Sequence, residues 1–381
     1  MQHPYLTEEH LAFRRALRRF LDKEAVPFYE QWEKDELVPR SFWDKLGENG
    51  FLASAIPEEF GGAEADFSYS VVIDEELERV GSGLSGISLH SDIVVPYLLA
   101  YGTDEQKQRW LPGCASGAII TAIAMTEPGA GSDLAGVRTT AIRDGHEYVL
   151  NGQKTFITNG IQSDLVLVVC KTGSAAYPPH QGMSLIWVER GTPGFTRGRQ
   201  LRKIGQHCQD TAELVFDQCH VPVSHLLGEE GKGFQYLTEK LQQERLVVGI
   251  AAQITAEEVL QETINYVKSR EAFGQSISKF QNTRFTLAEL STKVRINRTY
   301  LDQLIARHLA HEVIVEDVSM AKWWLTDVAK DVVNSCLQLH GGYGYMEEYS
   351  IARRYRDVVV MSIYAGTNEI MKTIIAKHLG L

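Results

Sequence analysis

The spacing of apolar residues changes twice along the chain and so divides it into three parts. In the first, residues 7–117, apolar side chains recur every three or four positions, as in LTEEHLAFRRALRRFLDKEAVPF. Thr7 stands before this run as a candidate N-cap. Leu11, Ala12, Leu17 and Leu21 then recur at helical spacing. Breaks at IPEEFGG and YGTDEQK separate further helices. The first part is therefore predicted to be helical.

The second part, from about residue 119 to residue 222, has the pattern of short strands. Its apolar residues gather in the runs YVLNGQKTFIT, DLVLVVCK, MSLIWVE and AELVFD, with Gly, Asp and Pro between them. This spacing is typical of a small β-sandwich or barrel.

Long helical patterns return after Gly233. They predict helices over about residues 234–267, 281–310 and 318–339. At 381 residues the chain is long enough for two or three packed units. The predicted fold class is a multidomain α+β protein, with a helical domain over residues 1–118, a middle β domain over residues 119–228 and a helical bundle over residues 229–381.

One carboxylate lies on the apolar face of the first long helix. At 100° per residue, Glu244 falls within a stripe of side chains spaced three and four apart. The other members of the stripe are Phe234, Leu237, Leu241, Val248, Ala251 and Thr255. An ionised carboxylate on a packed apolar face is costly unless it is paired or its pKa rises. Two interpretations are therefore open: an ion pair with a buried arginine of another helix, or a general base in a dry cleft.

Two glycine-rich turns follow apolar runs. IAMTEPGAGSDLAG, residues 123–136, has neither the Lys-Ser/Thr ending of a P-loop nor GxGxxG spacing. A tight turn between strands accounts for its glycines, but the hydroxyls of Thr126 and Ser132 beside backbone N–H groups also suit a polar heterocycle or a phosphate. QLHGGYGY, residues 338–345, ends a helix, where its glycine pair can form a C-cap and His340 is expected to be structural.

Charge and cysteine content narrow the set of partners. With 38 Lys and Arg against 49 Asp and Glu, the net charge of −11 argues against an electrostatically bound nucleic acid. The five cysteines contain no Cys-x-x-Cys pair and fit neither a zinc site nor a disulfide framework. No metal site is therefore predicted, and a reducing compartment is expected.

The sequence also indicates whether the chain enters a membrane or carries a targeting signal. The apolar run at residues 165–170 is too short to span a bilayer, so no integral membrane segment is predicted. Residues 1–9 lack the pattern of a signal peptide. We expect a cytoplasmic protein, or a mitochondrial matrix protein if the chain is a processed form.

Five motifs occur in the order and spacing of a known family: MTEPGAGSD, NGQKTFITNG, SREAFGQSISKFQ, QLHGGYGY and IYAGTNEIM. Together they resemble the acyl-CoA dehydrogenase family over almost the whole chain, and the resemblance is closest to its long-chain members. It implies an N-terminal helical domain, a middle β domain and a C-terminal four-helix bundle, with FAD bound between the β domain and the bundle. It also implies an oxidoreductase of fatty-acid or branched acyl catabolism, such as β-oxidation.

The resemblance assigns cofactor contacts residue by residue. The first glycine-rich turn and the end of the following strand would form two walls around the flavin, with Thr126 near the polar edge of the ring. These residues are Ile123, Met125, Thr126, Gly131, Ser132, Phe156, Ile157 and Thr158. A neighbouring subunit would hold the ADP half of FAD through Arg270, Phe273, Gln281, Gln338, Leu339, His340, Gly341 and Gly342. A loop closing over the cofactor would contain Thr367, Asn368 and Glu369.

The resemblance also assigns substrate contacts. Arg245 resembles an arginine that approaches the CoA, which suits an anionic ligand. The full set of implied acyl-CoA contacts is Ser132, Leu241, Arg245, Ala365 and Gly366.

The catalytic base occupies one of two positions in this family. Many members carry it in an IYEGT motif near the C-terminus, but this chain has Ala365 there, which cannot take a proton. In long-chain and isovaleryl members it comes from the bundle helix, in a run like Gln243-Glu244-Arg245 of this chain. The resemblance therefore selects the glutamate that the apolar stripe also singles out.

The implied reaction converts an acyl-CoA thioester to the trans-2-enoyl-CoA. Glu244 would remove the α-proton and the β-hydrogen would leave as hydride to the flavin. The backbone N–H of Ala365 and a ribityl hydroxyl of FAD would stabilise charge on the thioester oxygen. The family further implies an electron-transferring flavoprotein as electron acceptor, and a homotetramer built as a dimer of dimers.

Two other functions stay open. An acyl-CoA oxidase would pass its electrons to oxygen, although such chains are usually much longer. A catalytically silent acyl-CoA-binding protein would account for Ala365 but not for Glu244. Residues 83–97 and the start of the helix at Phe234 are expected to border the acyl tail. Straight long-chain, medium-chain and methyl-branched acyl groups all remain compatible with the sequence.

Overall fold

The N-terminal part of the protein is helical in the computed structural model, which describes residues 3–173 and 182–381. Thr7 precedes the first helix and makes a capping box with His10, as its position in the sequence predicts. The helices are α1 (Glu8–Glu24), α2 (Tyr29–Asp35), α3 (Arg40–Glu48), α4 (Phe67–Val80), α5 (Ser85–Ser88), α6 (Val95–Tyr101) and α7 (Asp104–Ser116). A π-helical turn, Leu89–Val94, joins α5 to α6.

The middle part is a curled sheet. Its strands are β1 (Thr121–Ala124), β2 (Thr140–Asp144), β3 (Glu147–Thr158), β4 (Leu165–Lys171), β5 (Met183–Glu189), β6 (Phe195–Gln200) and β7 (Thr211–Pro222). Their order is β1-β4-β2-β3-β7-β6, with β5 antiparallel to the outer side of β4. The apolar run from Leu165 to Cys170 is buried on both faces, which explains why it is continuous rather than alternating. The four runs named from the sequence form β3, β4, β5 and β7, whereas β1, β2 and β6 lie outside those runs.

The C-terminal part is a bundle of long helices. A hairpin of two short strands, β8 (Glu271–Ala272) and β9 (Gln275–Ser276), separates the first two of these helices. The helices are α8 (Gly233–Ser269), α9 (Gln281–Leu309), α10 (Val315–His340), α11 (Ser350–Asp357) and α12 (Asn368–His378). Their apolar faces meet in one core that includes Leu246, Leu301 and Leu325. Predicted and observed bounds of the long helices agree to within three residues.

Helix α4 joins the N-terminal helices to the bundle through buried charges. Glu75 accepts a hydrogen bond from Arg298 of α9 at 2.6 Å and another from Arg14 of α1 at 2.5 Å. Removing one partner of such a buried pair leaves a charge uncompensated, which costs about 3–5 kcal/mol. The pairing therefore fixes α4, which lines the cleft described below, between α1 and the bundle.

One helical stretch, Ser82–Tyr101, is long and apolar enough to cross a membrane by length and composition. Within the protein, 72% of its most apolar window is buried.

Candidate active site

A cleft of about 200 Å³ opens where the three parts of the chain meet. Its walls come from α4, the 85–93 segment, the ends of β1 and β3, the middle of α8 and the loop before α12. The predicted site residues that line it are Ile123, Met125, Thr126, Phe156, Ile157, Thr158, Glu244 and Ala365. The cleft therefore gathers the predicted base, the alanine of the IYAGT motif and both predicted flavin walls.

A bulge in β3 forms one apolar wall. The pairing of β3 with β7 shifts register between Lys154 and Ile157, and Phe156 takes a left-handed conformation with φ of 60°. This conformation is unfavourable for a bulky residue, and it leaves the phenylalanine 69% exposed beside a buried Ile157. The Thr155 N–H donates to the Thr126 carbonyl at 2.9 Å, so the two walls are tied together.

A buried ion pair fixes the turn after β1. Glu127 accepts from Lys154 Nζ at 2.8 Å, from the Thr139 hydroxyl at 2.6 Å and from the Arg138 N–H at 2.6 Å. Burial alone would raise the pKa of Glu127, but these hydrogen bonds lower it below its ordinary value. Both carboxylate oxygens of Glu127 already accept hydrogen bonds from the surrounding residues, so this carboxylate has a structural role.

Glu244 is buried on the wall opposite the bulge. It is 5% exposed, and its Oε1 accepts from the Tyr97 hydroxyl at 2.8 Å. Burial raises its pKa to about 7, while the Tyr97 hydrogen bond and the charge of Arg245 oppose that shift. In the described residues no arginine of another helix bonds it, so the ion-pair interpretation is wrong. A carboxyl that titrates near neutral pH in a dry cleft has the properties of a general base.

The loop before α12 is held from inside the bundle. Ala365 and Gly366 are both left-handed, with φ of 52° and 86°. The buried Lys322 of α10 donates to the Gly366 carbonyl at 2.7 Å and to Asn368 Oδ1 at 3.1 Å, and Asn368 Nδ2 donates to Asp327 Oδ1 at 3.0 Å. Burial lowers the pKa of Lys322 to about 8. These bonds fix the direction of the backbone next to Ala365, as an oxyanion-binding N–H requires.

A second groove of about 470 Å³ lies at the junction of α8, α10 and the turn after α10. No residue of its lining belongs to the first cleft. His340 is buried and stacks on Tyr266 with ring centroids 4.3 Å apart, while the Arg270 guanidinium lies 5.2 Å from the centre of the Tyr343 ring. The predicted cofactor residues in this groove are Arg270, Gln338, Leu339, His340, Gly341 and Gly342.

The remaining predicted residues line neither cavity. Gly131 and Ser132 are exposed in the turn after β1, and Phe273 is 95% exposed at the tip of the hairpin. Arg245 is buried and donates to the Ser319 hydroxyl at 3.3 Å. The others lie on the bundle and on the loop before α12: Leu241, Gln281, Gly366, Thr367, Asn368 and Glu369.

The hydrogen-bond partner of Glu244 and several lining residues are not identified from the sequence. Tyr97 lies at the edge of the segment expected to border the acyl tail, but nothing in its surroundings marks it as the partner of Glu244. The cleft contacts α8 from Glu244 to Ala251, and the first turns of that helix, including Phe234, lie outside its lining. The unpredicted lining residues outside residues 83–97 are Asp74, Leu77, Glu78, Gly81, Gln209, Val247, Val248, Ala251 and Tyr364. Those from α4 and the loop at Gln209 are distant in sequence from the predicted residues, so no local pattern could reveal them.

Metal chemistry has no candidate site in the part of the chain that the structure describes, where no group of three or more His, Cys, Asp or Glu side chains could hold an ion. The five cysteines are all buried and free.

Three family models match the chain in sequence order. They are the acyl-CoA dehydrogenase N-terminal domain over residues 7–118, the middle domain over residues 122–219 and the C-terminal domain over residues 231–380. Together they cover nearly the whole chain.

Individual relatives match over nearly their full length. The long-chain specific acyl-CoA dehydrogenase of Rattus norvegicus mitochondria is 46% identical over 98% of this chain and 87% of its own. The crystal structure of an acyl-CoA dehydrogenase from Geobacillus kaustophilus is 63% identical, with a TM-score of 0.99 and complete coverage of both chains. A chain from a structure described as the electron transferring flavoprotein of Acidaminococcus fermentans is 36% identical, with a TM-score of 0.94 and 99% coverage of both.

Proposed function

The chain belongs to the acyl-CoA dehydrogenase family of flavin-dependent oxidoreductases, and we propose that it oxidises the α,β bond of an acyl-CoA to the trans-2-enoyl-CoA with FAD. The observation that carries this proposal is the meeting of Glu244 and Ala365 in one cleft with two apolar walls. A base and an oxyanion-binding N–H are the two groups that α-proton removal from a thioester requires.

The residues present fit a flavin. Phe156 is an exposed aromatic side chain on strained backbone, which is unfavourable unless a ligand covers it. It faces a cleft whose other walls contain Ile123, Met125 and Thr126, so a flat heterocycle with one polar edge matches the lining. When bound, FAD supplies the acceptor for the β-hydrogen, which leaves as hydride.

The protein's own residues perform the proton transfer. Glu244, ionised, takes the α-proton, and the electron pair left behind forms the new double bond as the β-hydrogen departs. The Ala365 N–H would stabilise the charge that develops on the thioester oxygen. Lys322 holds the loop that contains this N–H in place. The apolar lining keeps water out, which strengthens both interactions.

The rate of substrate oxidation is expected to rise with pH through about 7. Glu244 accepts a proton only when it is ionised, and burial raises its pKa to about 7. Below that value the rate falls about tenfold per pH unit, and above it the rate levels off. Anaerobic stopped-flow absorbance of the flavin measures the rate, and a flat profile across the neutral range is the outcome that this assignment cannot accommodate.

The second groove motivates a proposal about assembly. Because the groove and the cleft have no lining residue in common, we propose that the groove completes the cofactor site of a neighbouring subunit, within a tetramer built as a dimer of dimers. Arg270 is its exposed cation and suits a pyrophosphate.

Replacing Arg270 by alanine is expected to lower FAD retention about tenfold and to weaken the dimer, because one charge-assisted contact to the pyrophosphate is lost. Lys268→Ala, which removes an exposed cation two residues away, is the matched control and should retain both. Flavin content after gel filtration and light scattering test this. An active monomer, or equal retention in both variants, contradicts it.

The electron acceptor we propose is an electron-transferring flavoprotein. The likeness to the Acidaminococcus fermentans chain supports it. The oxidase alternative predicts rapid reoxidation of the reduced flavin by air, whereas slow reoxidation in air and fast reoxidation by the flavoprotein fit a dehydrogenase. A cytoplasmic or matrix location follows from the same proposal.

Anaerobic mixing with acyl-CoA tests the proposed function as a whole. The purified protein should be yellow with about one FAD per chain, lose its flavin absorbance and yield enoyl-CoA. A protein that takes up no FAD on reconstitution refutes the cofactor assignment. If the protein is yellow but no acyl-CoA reduces its flavin, the protein is the catalytically silent acyl-CoA-binding protein.

A further inference from the structure

Two carboxyl groups of α4 face the cleft one turn apart, and they differ in their partners. Glu78 accepts from Thr255 Oγ1 at 2.6 Å and from Arg354 Nη1 at 2.9 Å. Asp74 is 3% exposed and lines the same cleft, yet neither of its carboxyl oxygens has a hydrogen-bond partner among the described residues. A buried carboxyl without partners is costly, so its place on a cavity wall points to a group inside the cleft.

Asp92, from the π-helical turn, lies close to Asp74 and adds to the effect of burial, which favours the neutral form of the Asp74 carboxyl. Burial and the charge of Asp92 raise the pKa of Asp74 well above its ordinary value, against the effect of the nearby Ser88 hydroxyl, and the carboxylates of Glu75 and Glu78 add to the rise. The Asp92 side chain is itself buried, with one oxygen unpartnered. A neutral carboxyl can both donate and accept a hydrogen bond.

Asp74 lines the same cleft as the base, and the segment that carries Asp92 packs beside the base. The Asp92 carbonyl accepts from Gln243 Nε2 at 2.7 Å, which brings this segment against α8 next to Glu244. Near Asp74 the lining is apolar apart from Glu78 and two hydroxyls. Its other members are Leu77, Ser85, Ser88, Leu89, Ile93 and Val247. An unsubstituted alkyl chain would contact this wall and still leave the carboxyl without a partner.

The acidic groups around Asp74 favour some substituents on the acyl chain over others. A carboxylate would be repelled by the acidic cluster, and an ammonium group would need an ionised Asp74, which burial opposes. A hydroxyl group can accept from a neutral carboxyl and donate to it in the same small space.

Resting on the proposed function, we propose that the cleft takes an acyl-CoA whose acyl chain carries a hydroxyl group away from the thioester, and that Asp74 is the residue that bonds this hydroxyl. The assignment makes Asp74 a specificity-determining residue. Glu78, whose Oε1 already accepts from Thr255 and Arg354, does not take part.

A matched series of substrates tests the proposal on the FAD-loaded enzyme. Hexanoyl-, octanoyl- and decanoyl-CoA are compared with their terminally hydroxylated counterparts, with kcat/KM measured by an artificial electron acceptor. For the chain length that reaches Asp74, we expect the hydroxylated substrate to be favoured about tenfold to a hundredfold, the effect of one hydrogen bond to a buried partner. Asp74→Leu should abolish this preference, measured as the ratio of kcat/KM for the hydroxylated and the alkyl substrate of that chain length.

The outcomes are separable. Equal rates for both series in the natural protein, or a preference for the alkyl series, overturn the proposal and mean that a water molecule alone meets Asp74. If Asp74→Leu does not fold, Asp74→Ala serves, because it removes both the donor and the acceptor of the side chain and should reduce the preference. An unchanged preference in the folded variant also overturns the proposal. Flavin reduction by neither series refutes the proposed function itself.

Discussion

Replacing Glu244 by glutamine is expected to slow flavin reduction by acyl-CoA about a hundredfold to ten-thousandfold, the usual contribution of a general base. The amide keeps the shape of the side chain and can still bond the Tyr97 hydroxyl, which lies 2.8 Å from the carboxylate. It cannot accept the α-proton. Fold and FAD content should be retained, because the change removes a buried ionisable group rather than adding one.

Because of the pKa of Glu244, the natural protein and the Glu244→Gln variant should also differ in the pH dependence of their stability. Because burial raises that pKa from 4.5 to about 7, the folded protein holds a proton that the unfolded chain releases. The contribution of this group to the free energy of unfolding therefore falls as the pH rises from about 4.5 to about 7. Glu244→Gln should lose that pH dependence and be at least as stable as the natural protein above neutral pH.

Helix α8 supplies a control for the substitution. Glu239 also accepts a hydrogen bond from a tyrosine hydroxyl, that of Tyr101 at 2.5 Å, but it does not line the cleft. Glu239→Gln makes the same chemical change one and a half turns earlier and should leave flavin reduction intact. The rival carboxylates are Glu127, Glu369 and the Glu347-Glu348 pair, whose amide variants should affect folding or flavin affinity more than proton removal. Wild-type flavin reduction by Glu244→Gln would place the base elsewhere.

Moving the base to Ala365 is expected to restore part of the activity that a loss of Glu244 abolishes. Both residues line the same cleft, so a carboxylate at either position can approach the same substrate carbon. The natural residue at 365 already carries a Cβ at φ of 52°, so the backbone accepts a side chain there. Glu244→Gly alone should lose activity as Glu244→Gln does, at a cost of about 1 kcal/mol in helix stability.

The double variant Glu244→Gly with Ala365→Glu should reduce its flavin about tenfold or more faster than Glu244→Gly alone. Comparison of the single and double variants measures the coupling of the two positions. Ala365→Glu in the natural background is the control, since it adds the side chain without opening space at 244. If the double variant is no faster than Glu244→Gly, although both bind FAD equally, the two positions do not serve one α-carbon.

The spacing of apolar residues predicts the architecture well because each helix or strand buries either one face or both faces. The run from Leu165 to Cys170 indicates a strand because both faces are covered, and the stripe along α8 places Glu244 inward from sequence alone. The bulge at Phe156 is not predictable in this way. It arises from the register between β3 and β7, whose paired residues are far apart in sequence.

Buried charge is the other feature that local sequence conceals. The run IDEELE in α4 has the composition of a solvated surface, yet Asp74, Glu75, Glu76 and Glu78 are all buried. Arginines from α1, α9 and α11 reach three of them, and nothing in the run itself indicates those partners. Among the described residues no arginine bonds Asp74, and only the folded structure reveals that it lines the cleft.

Proton transfer can be separated from oxidation with an acyl-CoA analogue in which sulfur replaces the β-carbon. This analogue has an acidic α-proton but no β-hydrogen to lose, so the enzyme can deprotonate it without oxidising it. The decisive measurement is exchange of its α-hydrogens with deuterium oxide, followed by mass spectrometry. If Glu244 is the base, the FAD-loaded natural protein catalyses the exchange and Glu244→Gln slows it at least a hundredfold. Exchange at the natural rate in Glu244→Gln would contradict the account.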